Sequence, residues 1–317
     1  MTITKLAWRD LVPDTESYQE LFAQPDLAQE HEFILSDTQP RLHYALEQVL
    51  SPWATSPFML LKAPEEAEYL TLLGDAMRQL QPEANAIYGG QYRISGHDVS
   101  FEPAEQADGR FAVKGEVVSA NWAEAEQLFG CLRQFNGEIS LQPGLVHRAN
   151  GGVLIISLRT LLSQPLLWMR LKTIVSQQRF DWVGYDESRP LPVSVPSMPL
   201  SLTVVLTGDR ESLADFQEME PELAAQAVYS EYEDNIQIAD ADDMAQWCQW
   251  VMAVAARFAL PTPAADAWPG LIREAVRYTG DQETLTLCPL WISKQLREVG
   301  AISGNGAFNG EQLSQML

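Results

Sequence analysis

Basic residues are scarce in this chain: 21 lysines and arginines stand against 43 aspartates and glutamates, a formal net charge of -22. Nucleic-acid binding rests on Lys and Arg neutralising phosphates, so the deficit argues against a nucleic-acid partner and equally against an anionic membrane surface. Cysteine is scarcer still. Cys131, Cys248 and Cys288 are far apart and odd in number, which disfavours a disulfide framework or a CxxC zinc site and reads as three buried thiols. His31, His43, His97 and His147 lack metal-ligand spacing, so no metal site is expected. No apolar run approaches the roughly 18 residues of a membrane span. The start, Met1 to Trp8, is too short and polar for a signal peptide, and a cytoplasmic protein is the default expectation.

What is present is apolar material for a core: 46% of 317 residues are hydrophobic, room for one large or two ordinary domains. Ser36 to Leu50 sets Leu42, Ala45, Leu46 and Val49 at helical spacing, Pro57 to Leu61 reads as a buried strand, and Glu65 to Leu80 is again helical. This is the βα rhythm of a parallel sheet. Short alternating segments around Gly89-Gly90 and Asp108-Gly109 mark a β-rich insertion over residues 86–118. Asn121 is expected to cap a helix carrying Trp122, Ala125, Leu128, Phe129 and Leu132, and Ser163-Gln164-Pro165 opens another through Gln177. Arg179 to Tyr185 and Leu191 to Val195 read as two hairpin strands, and Leu202 to Leu206 as a buried strand. Helices are then expected over Asp240 to Phe258, Asp266 to Tyr278 and Pro289 to Val299. The resulting division is an N-terminal extension 1–35, an α/β domain 36–238, a helical domain 239–303 and the start of a further helical segment at 304–317.

The run Arg148-Ala149-Asn150-Gly151-Gly152-Val153-Leu154-Ile155-Ile156-Ser157-Leu158 launches an apolar strand from two glycines. In P-loop ATPases such a strand ends in an Asp that holds Mg²⁺, followed by a Glu that polarises water. Ser157 and Leu158 stand in those places. A working phosphate loop reads GxxxxGK[ST], because glycines let backbone N–H groups close around phosphate and Lys neutralises it. After the strand ending at Leu61, that loop is in register with Lys62-Ala63-Pro64-Glu65-Glu66-Ala67-Glu68-Tyr69. A carboxylate about 4 Å from a phosphate charge costs roughly 4 kcal/mol at an effective dielectric near 20. Three glutamates therefore cannot make this cradle, and an ordinary strand–turn–helix with an acidic first turn suits them better.

The order of these segments, with Gln127-Leu128-Phe129-Gly130 and Pro143-Gly144-Leu145-Val146-His147-Arg148-Ala149-Asn150-Gly151-Gly152, resembles the AAA+ module of LonB-like, Lon-related ATP-dependent serine proteases from about Trp8 to Gly300. The resemblance implies an α/β fold: an AAA+ P-loop-type parallel sheet with inserted β-hairpins, followed by a small all-helical lid domain. It places the nucleotide positions on Lys62, Pro64, Glu65, Ala67, Glu68 and Tyr69, the Mg²⁺ and catalytic acids on Ser157 and Leu158, and a polar sensor near Asp209. Arginine fingers would follow Pro221-Glu222-Leu223, where Ala224 and Gln226 stand instead. Four parts of the machinery are missing together, so ATP and Mg²⁺ binding are expected to be lost and no cofactor is expected. Phe135, Asn136 and Gly137 lie where relatives carry a polypeptide-gripping pore loop, although they also read as a plain turn. The partners implied are polypeptide substrates, a Ser-Lys peptidase domain in cis in the full-length protein, and further copies of the chain in a homo-oligomer. No catalytic residue is expected here. An ATPase with non-standard motifs and a free-standing adaptor stay open as alternatives.

Overall fold

The computed structural model describes residues 14–24, 34–81, 86–107, 110–184, 190–304 and 306–316. His31, the Asp108-Gly109 turn and Tyr185 lie outside the described residues. The chain divides into two compact units, one of residues 41–231 and one made of 1–40 together with 232–317. The second unit thus joins a segment at 1–40 to one at 232–317.

In the first unit five strands form one parallel sheet: β1 (Phe58–Lys62), β2 (Val117–Ala120), β3 (Val153–Ser157), β4 (Thr203–Gly208) and β5 (Val228–Glu231). Their order is β5-β1-β4-β3-β2. Every residue of β3 is buried, the continuous apolar pattern of a strand covered on both faces. The helices of this unit include α1 (Pro40–Leu50), α2 (Ala67–Leu80), α3 (Leu158–Ser163), α4 (Pro165–Gln177), α5 (Arg210–Met219) and α6 (Pro221–Gln226). Pro165 begins α4, and the inward stripe Leu167, Leu171, Ile174 and Val175 is buried together with Trp168. Strand order reverses at β1, which has β4 on one side and β5 on the other. In open α/β sheets ligands bind outside the carboxyl ends of the strands at such a point. Pairing sets Lys62 beside Gly208 and Glu231, and Thr207 beside Ser157, so these residues share one end of the sheet.

The glycine-rich signatures are largely architecture. A Cβ on Gly151 would come within 2.1 Å of the Tyr88 ring, and one on Gly152 within 2.3 Å of the Glu116 carbonyl oxygen. Asn150, just before them, is a clamp: its amide donates to the Pro199 carbonyl at 3.1 Å and its oxygen accepts from Ser201 N–H at 2.9 Å. Gly130 has a φ of 71° and abuts Gly144, so a methyl on either would meet the other's chain. These residues let two loops touch backbone to backbone.

Several local expectations are corrected. Pro40 splits the first helix, leaving a turn at Leu35–Thr38 before α1. Asn121 caps no helix. The short helix Ala125–Phe129 is capped at Glu124, whose N–H donates to the Gln127 side chain at 3.0 Å, and Leu132 lies in a strand. Trp122 is 47% exposed rather than packed inward. Leu191 to Val195 forms no strand; Arg179–Phe180 pairs with Met198–Pro199 instead, since Pro190, Pro192 and Pro196 bring no N–H to a ladder. The β-rich insertion holds strands Tyr88–Ser95, Asp98–Pro103 and Phe111–Val113, while Val117 and Val118 belong to β2.

The second unit contains α7 (Ala241–Arg257), α8 (Trp268–Thr279) and α9 (Pro289–Ser303). Asp240 caps α7 by accepting from the N–H groups of Asp242 and Asp243, and Trp247 and Trp250 are buried. It is not all-helical. Asn235–Gln237 pairs antiparallel with Thr284–Thr286, and the Trp247 indole N–H donates to the Thr286 carbonyl at 2.9 Å. Cys131 and Cys248 are buried, but Cys288 is half-exposed and its sulfur accepts from Trp291 N–H.

Candidate functional site

The carboxyl ends of β1, β3, β4 and β5 gather most of the candidate residues, and two of them, Glu65 and Ser157, engage one another. Glu65, in the loop after β1, reaches across to β3. Its Oε1 accepts from the Ser157 hydroxyl at 2.5 Å, and its Oε2 lies 2.5 Å from the Arg159 guanidinium. Ser157 Oγ also caps α3 by accepting from Arg159 N–H at 3.1 Å. The Glu65 side chain is 9% exposed and that of Arg159 72%, so one ion is sheltered and its partner lies on the rim.

Lys62 turns sideways. Its ammonium binds Glu231 at the end of β5 at 2.7 Å, and Tyr229 donates to the same carboxylate at 2.7 Å. The Lys62 hydrogen bond first, and the Tyr229 one second, hold the Glu231 carboxyl below the usual range. Burial, reinforced by the bond to Glu231, pushes the Tyr229 hydroxyl up to about 12. Asp209 follows β4 but serves its own helix, capping α5 by accepting from Ser212 N–H at 2.7 Å; that bond and one from the Ser212 hydroxyl lower its pKa. Pro64 and Glu68 are half-buried and Ala67 is exposed, whereas Tyr69 and Leu158 are buried side chains of the core. The structure therefore brings Glu65 and Ser157 together and leaves Tyr69 and Leu158 in the core, while Asp209 caps its own helix and feels the charge of Arg159.

Two other places bear on function. Ala224 and Gln226 lie on α6, and Gln226 lines a 550 Å³ cavity with Lys172, Glu220 and Phe58 near the amino end of β1. Phe135 ends the strand Cys131–Phe135, which pairs with Glu138–Gln142 through the turn Asn136-Gly137. Both turn residues have positive φ, 48° and 84°, the two-residue turn that Asn-Gly favours. Phe135 is 77% exposed at this tip.

The sequence pattern does not mark Arg159, and it places His147 in the Pro143 to Gly152 signature without indicating its burial. The latter is fully buried among Phe111, Phe180 and Trp182, and its Nδ1 accepts from Gly144 N–H at 3.0 Å. Its position three residues after a Pro-Gly turn was the available signal. Among the described residues no group of three or more His, Cys, Asp or Glu side chains is placed to hold a metal ion.

A parallel sheet with an order switch at its first strand, flanked by helices and carrying inserted hairpins, defines an α/β domain of the AAA type. Residues 114–227 match the family described as LonB-like, AAA domain. Over all 317 residues the chain is 65% identical to the "Putative Lon protease homolog" of Escherichia coli K12, covering 54% of that protein. It is 40% identical over 209 residues to the protein of the same name from Haemophilus influenzae, a match spanning 63% of this chain and 35% of that one. The chain thus spans about half the length or less of these curated relatives. Among solved structures it is similar to NtrX from Brucella abortus, with a TM-score of 0.46 at 14% identity over 91% of this chain and 55% of that one.

Proposed function

We propose that this chain is a non-catalytic AAA+ module of a Lon-related ATP-dependent protease, a scaffold and substrate-handling region for a Ser-Lys peptidase domain of the full-length protein. The observation that carries this reading is the Glu65 carboxylate bound to Ser157 and Arg159 at the end of the sheet where a nucleotide's phosphates would lie. These residues do not fit ATP. A triphosphate there would meet the charge of Glu65 at close range, with Lys62 committed to Glu231 and no carboxylate at Ser157 or Leu158 to hold Mg²⁺. The exposed Phe135 supports a polypeptide-handling role: an aromatic tip gains apolar burial against an extended chain of almost any sequence. Polypeptide substrates, assembly with further copies and a cytoplasmic location belong to the same proposal. Among the described residues no helix is long and apolar enough to cross a membrane.

Isothermal titration of the chain with Mg-ATP at neutral pH is the test. No saturable heat is expected, and saturable micromolar binding would replace this reading with that of an ATP-binding module. The chain is also expected to leave fluorogenic peptides and casein intact.

A further inference from the structure

Glu65 is held as a bound ligand would be held. Besides the Ser157 hydroxyl and the Arg159 guanidinium, the Arg159 backbone N–H approaches its Oε1 at 3.4 Å. All three donors come from the junction of β3 and α3, whereas the carboxylate arrives from the loop after β1, 92 residues earlier than Ser157. β1 and β3 are not neighbours, because β4 lies between them. The contact therefore crosses the mouth of the crevice at the point where strand order switches.

We propose that Glu65 is a built-in ligand. Its carboxylate ties the loop after β1 to the β3–α3 junction, so the crevice is held closed with no bound molecule. This rests on reading the crevice as one without nucleotide, and goes further by naming the group that takes over the closing contact. Glu65 and Arg159 pair one carboxylate with one guanidinium, the Asp209 carboxylate also feels the Arg159 charge, and the hydroxyl has both a donor role to Glu65 and an acceptor role to Arg159 N–H. Removing the sheltered anion leaves the buried Ser157 hydroxyl without its acceptor, while the exposed Arg159 guanidinium is met by water. Because Arg159 is open to solvent, a small anion from solution has a path to the gap that truncation would leave.

The test is chemical rescue. Melting temperatures are compared for the wild-type chain, Glu65→Ala, Glu65→Gln, Arg159→Gln and the two double variants, in acetate, in acetamide as its neutral counterpart, and in sodium chloride at equal ionic strength. Glu65→Ala is expected to melt about 2 to 6 °C lower, and acetate to recover about half of that loss or more along a saturating curve. Acetamide and chloride should recover none of it, and acetate should fail on Glu65→Ala/Arg159→Gln. Unchanged melting of Glu65→Ala, or equal recovery by acetamide, overturns the proposal. If Glu65→Ala does not fold, the glutamine variants decide: Glu65→Gln and Arg159→Gln should lose similar amounts and their combination no more than either, whereas additive losses overturn the proposal. Mg-ATP binding by the wild-type chain would sink the nucleotide-free reading while leaving an acetate rescue standing, so the two failures are distinguishable.

Discussion

The Trp182 indole stacks on the His147 imidazole, with ring centroids 5.4 Å apart and planes 18° from parallel. His147 Nδ1 accepts a hydrogen bond from Gly144, so its proton sits on Nε2, which finds no partner among the described residues. Burial first, and the charge of Arg170 second, hold the imidazole pKa down to about 3.

That depression has a sign. The unfolded imidazole takes up a proton near pH 6.5 and the folded one resists until about 3, so stability is full above about 6.5 and is lost as pH falls toward about 3. Urea denaturation between pH 7.5 and 5 should show a wild-type slope approaching about 1.4 kcal/mol per pH unit below pH 6.5. His147→Asn should be less stable at pH 7.5 yet show a shallower slope. Equal slopes would remove His147 as the cause.

Gly130 sits at φ 71° with the Gln142 carbonyl oxygen 2.1 Å from where a Cβ would be. Gly130→Ala is expected to cost more than about 2 kcal/mol, since both the backbone conformation and the close approach oppose it. Gly137, also at positive φ but with open space around its Cβ position, should cost about 1 kcal/mol on the same change. Urea midpoints measure the contrast, and comparable losses at the two positions would contradict the packing argument.

Glu220 accepts from the buried Trp168 indole at 2.8 Å and from the Lys172 ammonium. Burial raises its pKa, but the bonds from Lys172 and Trp168 together outweigh that and leave it lowered. Glu220→Ala would strand the indole N–H in the core, at a cost of about 1 to 3 kcal/mol. Glu220→Gln, which keeps an acceptor, should lose less. A Gln variant as damaged as the Ala one would place the effect on the Lys172 charge.

Phe135→Ala should leave the melting temperature nearly unchanged, because a side chain this exposed contributes within about 0.5 kcal/mol, whereas a buried Phe costs about 3 to 5. In the full-length protein the same change should weaken crosslinking to an unfolded polypeptide. A large drop in melting temperature with unaltered crosslinking would make Phe135 a core residue and end its candidacy.

The sheet strands were the most legible part of the fold. Val153 to Ile156 and Val204 to Leu206 are apolar runs that suit nothing but a covered strand or helix, and the flanking glycines and lengths favour strand. Leu132 was misread because a helical spacing from Ala125 ran on past Gly130, whose positive φ ends the helix. The Asn136-Gly137 turn was written in the sequence, and the hairpin around it follows from turn chemistry. Of the candidate site, the sequence marks Glu65 and Ser157 one at a time but does not pair them. Tyr69 occupies its register place in the loop and yet points into the core, because helical periodicity after Glu66 assigns it to the buried face of α2.

The sequence by itself determined the residue identities at the two strand ends: Glu65, Glu66 and Glu68 after the strand ending at Leu61, and Ser157-Leu158 after the glycine-launched strand, whose reading as lost phosphate chemistry belongs to the proposal. Such identities are local and survive any folding. Only the tertiary structure decided what fills the space, since the meeting of Glu65 with Ser157 and Arg159 depends on β1 and β3 being carried to the same end of one sheet with β4 between them. Periodicity encodes the face an element buries, not which distant element lies across from it. That pairing is set by packing the whole sheet, whose strand order places donors and carboxylate within reach despite 92 residues of intervening chain.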